Sequence, residues 1–232
     1  MSSHAWPLAW KGINFTVWVE ENQRVFTGPY SAVPQVLDLM GDVWNFSMDQ
    51  PDGTDQVEGA AKQAFLARLR GALNLIEIPM LHRPVPQGTL RDGAAISMVN
   101  GSGAALSVVN GSGAALTLIS GTPLLADPVT QRASTFVIQT FPGRTLFAGD
   151  YVRLVNGQTV MNLVDTLADV NGRMPVECTP KVRDDIAPCT LVEWNYPTVK
   201  YRMKSGAVPV VFRKGVYQGP SIEGIEVPAN FI

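Results

Sequence analysis

The run Tyr151-Val152-Arg153-Leu154-Val155-Asn156-Gly157-Gln158-Thr159-Val160-Met161 decides the fold class. Two stretches rich in β-branched and apolar residues flank Asn156-Gly157, a dipeptide that suits the tight turn of a hairpin, so the stretch predicts two linked strands. Working outward, Phe136-Val137-Ile138 predicts a strand before this pair. Two more are expected around Leu163–Ala168 and Met174–Cys178, separated by Asn171-Gly172. Val208-Pro209-Val210-Val211-Phe212 reads as a strand at an edge or bulge, because Pro209 has no N–H to give a ladder.

The N-terminal part continues the theme. Ile13-Asn14-Phe15-Thr16-Val17-Trp18-Val19 alternates apolar with polar and then becomes wholly apolar, as a strand entering a core does. Asn22-Gln23 turns it toward a strand at Arg24-Val25-Phe26, and Pro29 and Pro34 break the regular structure beyond that strand. Val43–Met48 and Leu73–Ile78 are further strands, ended by Asp52-Gly53 and Pro79. Between them lies one helix, expected over 55–70. Asp55 and Glu58 form a capping-box-like start at the positive end of the dipole. Val57, Ala61, Ala64, Phe65 and Leu69 share one apolar face, and Gly71 is the expected C-terminal cap.

A ten-residue repeat begins at Gly93. Gly93-Ala94-Ala95-Ile96-Ser97-Met98-Val99-Asn100-Gly101-Ser102 recurs from Gly103 and again from Gly113. An even period keeps equivalent side chains on one face, and each unit ends in an Asn-Gly or Ser-Gly turn signal. Three hairpin-linked strands are expected, in a small projecting sheet or one shared with a neighbour. The whole reads as α+β and β-rich, with β-sandwich or β-barrel-like sheets, one principal amphipathic helix and an inserted small β-meander. Three regions are expected: 1–80 with the helix, 81–135 with the repeat, and a β-rich 136–232.

Composition narrows the function. Only 16% of the 232 residues are charged, against about 25% in an ordinary soluble domain, while 46% are hydrophobic. Low charge suits a protein that covers part of its surface with partner subunits. A formal net charge of −2 argues against a dedicated nucleic-acid binder. No signal peptide or membrane-spanning run is evident. Cys178 and Cys189 are too few for a secreted disulfide framework and are expected as reduced thiols in a protein made in a cytosol.

Catalytic and metal chemistry find few candidates. There is no Gly-x-Ser-x-Gly elbow, and His4 and His82 are the only histidines. Cys178 and Cys189 lack zinc-site spacing and histidine partners. Asp169-Val170-Asn171-Gly172 resembles the middle of a calcium loop, but Leu167 and Cys178 would fall where the first and last acidic ligands belong. The Gly-Ser-Gly turns of the repeat lack the Lys-Ser/Thr of a phosphate loop, and Asp184-Asp185 sits in a Pro-bounded loop. No catalytic, cofactor or metal residue is assigned, and the protein is expected not to be an enzyme.

Charge placement says more. Asp38, Asp42, Asp49, Asp52, Asp55 and Glu58 occupy a stretch without Lys or Arg, and Lys200, Arg202, Lys204, Arg213 and Lys214 occupy one without acids. Opposite patches on one molecule can meet head to tail and close a ring. Asp49, Asp52, Asp55, Glu58, Lys200, Arg202, Lys204, Arg213 and Lys214 are therefore the candidate ring-interface residues.

Several of these runs together carry a resemblance. Val57-Glu58, Ala64-Phe65-Leu66-Ala67-Arg68-Leu69-Arg70-Gly71 and Arg83-Pro84-x-Pro86-x-Gly88 come first. Leu146-Phe147-Ala148-Gly149-Asp150-Tyr151-Val152, a strand pair, Asp169-Val170-Asn171-Gly172-Arg173 and Pro180-x-x-Arg183 come after. Their order resembles distal tail proteins of long-tailed, siphovirus-type bacteriophages, or the related tail-tip proteins of prophages and gene-transfer-agent-like particles. The likeness spans about residues 40–200; the Trp-bearing N-terminal strands and the repeat depart from it. It implies a structural virion protein, a homohexameric adaptor ring between tail tube and baseplate hub. Its implied partners are its own copies, the tail tube protein and the hub and other tip proteins, with DNA only as cargo in the lumen and no membrane. It implies no cofactor, and a virion tail-tip location after synthesis in the host bacterial cytoplasm. An alternative is a carbohydrate-binding module contacting the host surface through Trp6, Trp10, Trp44, Trp194 and Tyr196.

Overall fold

A computed structural model describes residues 2–10, 12–26, 35–38, 41–90, 122–204 and 209–228, together with 95–96, 98–99, 105–106, 108–109, 115–116 and 118–119 of the repeat. The expected breaks at Pro29 and Pro34, the Asn-Gly-Ser turns of the repeat and the start of a strand at Val208 lie outside these residues.

Strands β1 (Ser3–Ala5), β2 (Asn14–Glu20), β3 (Gln23–Phe26), β4 (Gln35–Asp38) and β5 (Val43–Asp49) precede helix α1 (Gln56–Leu69). β6 (Leu75–Pro79) is next. The repeat holds β7 (Ala95–Ile96), β8 (Met98–Val99), β9 (Ala105–Leu106), β10 (Val108–Val109), β11 (Ala115–Leu116) and β12 (Leu118–Ile119). Then come β13 (Leu124–Leu125), β14 (Thr135–Gln139), β15 (Thr145–Leu146), β16 (Tyr151–Arg153), β17 (Thr159–Asn162), β18 (Thr166–Leu167) and β19 (Arg173–Thr179). β20 (Thr198–Met203), β21 (Val211–Arg213), β22 (Val216–Gln218) and β23 (Ser221–Glu226) complete a β-rich α+β chain with one helix among the described residues.

The chain divides into two units, Met1–His82 with Thr198–Ile232, and Arg83–Pro197. In the first, six strands run in the order β1-β6-β20-β23-β5-β2. Alternation sets its core: Val199, Tyr201 and Met203 of β20 are buried while Lys200 and Arg202 between them stay half-exposed. Trp44, Phe46 and Met48 of β5 and Ile76 and Ile78 of β6 are buried likewise, with the Phe46 and Tyr201 rings 4.5 Å apart.

Three expectations change here. The reading of 136–232 as one region gives way to a return of the chain. β20 pairs antiparallel with β6, and β23 with β5, so the first unit needs the last 35 residues to complete its sheet. β2 does not enter a core. It is the sheet edge, pairing with β5 from Asn14↔Asp49 to Glu20↔Val43, with Phe15, Val17 and Val19 half-buried and Trp18 exposed. The proline-bearing stretch forms a strand only from Val211, beyond Pro209.

Helix α1 stands where its caps place it. Asp55 is the N-cap, and its carboxylate accepts the Val57 N–H at 2.8 Å. The chain leaves the helix at Arg70, not Gly71, in the left-handed region at φ 48°, with its N–H donating to Ala67 O. Of the expected apolar face, Leu69 is buried and Phe65 half-buried against Trp6 and Trp10, whereas Val57, Ala61 and Ala64 are exposed. Gly59, Lys62, Leu66 and Leu69 are the buried residues, while Val57 is 78% exposed.

The second unit is built on the sheet β13-β14-β19-β17-β16. Its core gathers Phe136, Ile138, Leu146, Val152, Val160, Met174, Val176 and Val192, all buried. The hairpin around Asn156-Gly157 forms with Tyr151 opposite Met161. Gly157, at φ +81°, donates to Leu154 O while Leu154 N–H reaches Gln158 O, so a bulge carries the turn. Gly172 does the same work at Asp169–Arg173, at φ +74°, and a Cβ there would lie 1.9 Å from Thr140 O. Of the strand expected over Leu163–Ala168 only Thr166–Leu167 forms, paired with β15, because the Asn162 side chain donates to Leu146, Phe147 and Val164 carbonyls and bends the chain there.

Each repeat copy supplies two short strands, and the residue between them lies outside the described residues. β8 pairs with β9, β10 with β11, and β12 returns to β7, all antiparallel. The registers are equivalent: Met98↔Leu106, Val108↔Leu116 and Leu118↔Ile96. The pairings of the three copies thus run in a cycle, the last strand returning to the first.

Candidate partner-binding surfaces

The charged residues singled out in the sequence all lie in the first unit, and several are engaged within it. Asp52 Oδ1 accepts the Gly219 N–H at 2.7 Å. Asp49 accepts hydrogen bonds from the Ser221 and Asn14 side chains, which hold its carboxyl below the ordinary value. Asp55 caps the helix, and Glu58 Oε1 lies 3.0 Å from Lys62 Nζ.

Lys62 is the least expected of these groups, since a lysine almost never lies at 2% exposure without partners. Its Nζ donates to Tyr217 Oη at 2.9 Å and pairs with Glu58. Burial pulls the ammonium's pKa down, but the hydrogen bonds to Tyr217 and Glu58 outweigh it and hold the value above the ordinary one. Gly59 makes the arrangement possible, because a Cβ there would come within 2.8 Å of the Tyr217 ring. The acidic helix segment therefore packs on the β21–β22 hairpin that carries part of the basic segment.

The basic run also changes character in three dimensions. Lys200, Arg202 and Lys204 lie along one face at β20, but strand pairing brings acids beside them. Glu77 sits opposite Lys200, and the Lys204 N–H donates to Glu223 O. Lys204 Nζ lies 5.6 Å from the Trp18 ring centroid, a cation–π contact.

Arg213 and Lys214 stand apart at the tip of the β21–β22 hairpin. Its register, Val211↔Gln218, Phe212↔Tyr217 and Arg213↔Val216, turns Tyr217 inward and presents Val211, Arg213, Val216 and Gln218 together on the other face. Val211 and Val216 are each 42% exposed. A shallow cleft lined by Asp52, Arg213, Val216 and Gln218 runs along this face.

In the second unit, two of the runs that carry the resemblance meet around one carboxylate. Asp150 is fully buried and accepts the N–H groups of Gln87 at 2.9 Å, Phe147 at 2.9 Å and Gly88 at 3.3 Å. Arg83 Nη1 lies 3.5 Å from Asp150 and donates to Ala148 O at 2.8 Å. The Arg-Pro-x-Pro-x-Gly and Leu-Phe-Ala-Gly-Asp runs thus close a structural knot.

Beside the knot, β15 pairs with β18 as Thr145↔Leu167 and Leu146↔Thr166. Leu146 and Ala168 point into the core, so the two-residue period turns Phe147, Asp165 and Leu167 outward on the opposite face. Phe147 is 39% exposed, Leu167 62%, and the adjoining Leu163 41%. Asp165 Oδ1 accepts the Ala148 N–H at 2.8 Å. Sequence reading missed this apolar surface with a carboxylate beside it; the signal was Asp165 standing two residues before Leu167.

The groups weighed for chemistry lie apart. His4 Nε2 is 3.3 Å from Ser2 Oγ, and the His82 ring packs 5.9 Å from that of Phe15. Burial, aided by the charge of Glu177, pushes the Cys178 thiol up to about 12, whereas Cys189 is exposed. Asp184 accepts from Asn156 Nδ2, and Asp185 from Gln131 N–H. Among the described residues no three His, Cys, Asp or Glu side chains are grouped to hold a metal ion. Among them, too, no helix is long and apolar enough to cross a membrane. Of the aromatics, Trp6 and Trp44 are buried, Trp10 and Trp194 half-buried, and Tyr196 45% exposed. Trp6, Trp10 and Phe65 pack edge to face on one another, with centroids 5.4–5.7 Å apart, and pin the N-terminal segment to the helix.

The chain matches no known family model, and no curated protein matches it.

Proposed function

We propose that the protein is a structural component of a bacteriophage tail tip, a non-enzymatic adaptor whose copies form a ring, six in number, between tail tube and baseplate hub. In this reading its partners are its own copies, the tube protein and the hub and other tip proteins. DNA passes through the lumen as cargo, and the protein is made in the bacterial cytoplasm before joining the virion.

The observation that carries the reading is the exposure of large apolar side chains on or beside hydrogen-bonded strands in both units. Val211 and Val216 project from the outer face of one hairpin, and Leu167, with Phe147 and Leu163 nearby in the chain, is exposed at β15–β18. Grouped apolar residues on or beside ordered strands mark surfaces that partners cover. The Asp150 knot adds support, since it gives the motif runs of the resemblance a shared structural role. Electron microscopy and mass measurement of the purified protein test the reading. Closed rings are expected; a monomer at every concentration that turns over a small molecule or glycan overturns it.

A further inference from the structure

Two exposed faces have matching chemistry. The outer face of the β21–β22 hairpin places a cation, Arg213, between Val211 and Val216. At the outer face of β15–β18 an anion, Asp165, bonded to the Ala148 N–H, stands beside the exposed Phe147 and Leu167. Among the described residues Arg213 makes no ion pair, and its neighbour in the cleft, Asp52, has Oδ1 bound to the Gly219 N–H. Asp165 Oδ1 accepts the Ala148 N–H, which fixes the carboxylate and leaves Oδ2 for an outside donor. Lys214, exposed, follows Arg213 at the hairpin tip, and Arg83, partly exposed, donates to the O of Ala148, the residue whose N–H Asp165 accepts.

We propose that the Val211–Arg213–Val216 face of one copy seats on the Phe147–Asp165–Leu167 face of a second copy, with Arg213 paired to Asp165. The inference rests on the ring reading and names its contact. The two faces differ, so the contact is heterologous. Each copy uses one face on the neighbour before it and keeps the other for the neighbour after it, which is the arrangement a ring requires. Charge fixes the register while the apolar surround excludes water from the pair. The acids at 49–58, in contrast, are engaged inside their own unit, so the anionic half of the contact falls to the second unit.

Sedimentation of the wild-type chain, R213E, D165R and the R213E/D165R pair over a range of concentrations tests this. Each single reversal places like charges face to face and is expected to raise the half-assembly concentration about tenfold or more. The double variant restores the opposition with signs exchanged and is expected to assemble within about threefold of wild type. Recovery in the double also shows that the singles are folded. Singles that assemble like wild type, or a double no better than the worse single, overturn this contact and leave the ring standing. A wild-type chain that stays monomeric overturns both.

Discussion

Gly59→Ala sets two effects of known sign against each other. In an exposed helix interior the change stabilises by about 1 kcal/mol, because alanine is the better helix former. At position 59 the new methyl would lie 2.8 Å from Tyr217 Cγ and Cδ1 and 2.9 Å from Phe212 Cε1. These are ring atoms of a hairpin packed on the helix, and Tyr217 is only 1% exposed, so the ring has little room to retreat. Overpacking of this kind costs about 1–3 kcal/mol. Moving Tyr217 also stretches the 2.9 Å bond from Lys62, and a buried hydrogen bond to a charged group is worth about 1.5–3 kcal/mol, part of which Glu58 retains. The balance is a destabilisation of about 2 kcal/mol. Followed by tryptophan fluorescence, the urea midpoint of the first unit should fall by about 1 M for a slope near 2 kcal/mol/M. A midpoint unchanged or raised would refute the view that Gly59 exists to admit Tyr217.

Lys62→Met removes the buried ammonium while keeping most of the packing. Because the folded lysine titrates above its ordinary 10.5, its contribution is full below about that pH and fades as pH rises through the raised value. The melting-temperature gap between wild type and K62M should therefore be constant from neutral pH to about 10 and narrow beyond it. Gly172→Ala combines a left-handed φ of 74° with a methyl 1.9 Å from Thr140 O, and should destabilise the second unit by about 3 kcal/mol or more in chemical denaturation. A thiol reagent at pH 8 should modify Cys189 in the native protein and Cys178 only on unfolding, since burial raises the Cys178 thiol to about 12; mass spectrometry of labelled peptides reads the order.

Local pattern made much of the fold legible. Asn156-Gly157 and Asn171-Gly172 mark real turns because their glycines supply the positive φ that no other residue gives cheaply. Asp55 marks the helix start because a carboxylate before an uncapped first turn has few other uses. The features that stayed hidden depend on residues far apart in the chain. The helix face could not be read from apolar spacing, since Tyr217 and Glu58 make Lys62 an inward residue while Val57 faces solvent. The basic run from Lys200 to Lys214 reads as one patch in sequence, yet β6 and β23 bring Glu77 and Glu223 beside its first half. The return of β20 to β6 across more than a hundred residues leaves no local trace. Asp165 escaped notice because its setting is fixed by Leu146 and Ala168 turning inward, a matter of register.

The cyclic pairing of the ten-residue copies bears on how such an insert can change. A single copy leaves both its short strands unmatched, and two copies satisfy one seam but strand the outer pair. At three, Leu118-Ile119 meets Ala95-Ile96 and every seam is closed. Stepwise duplication would therefore pass through sticky intermediates and then halt, and a fourth copy would have to break a finished circle to enter. Length variation in this segment should come in whole circles or at the junctions, not by one module more or less.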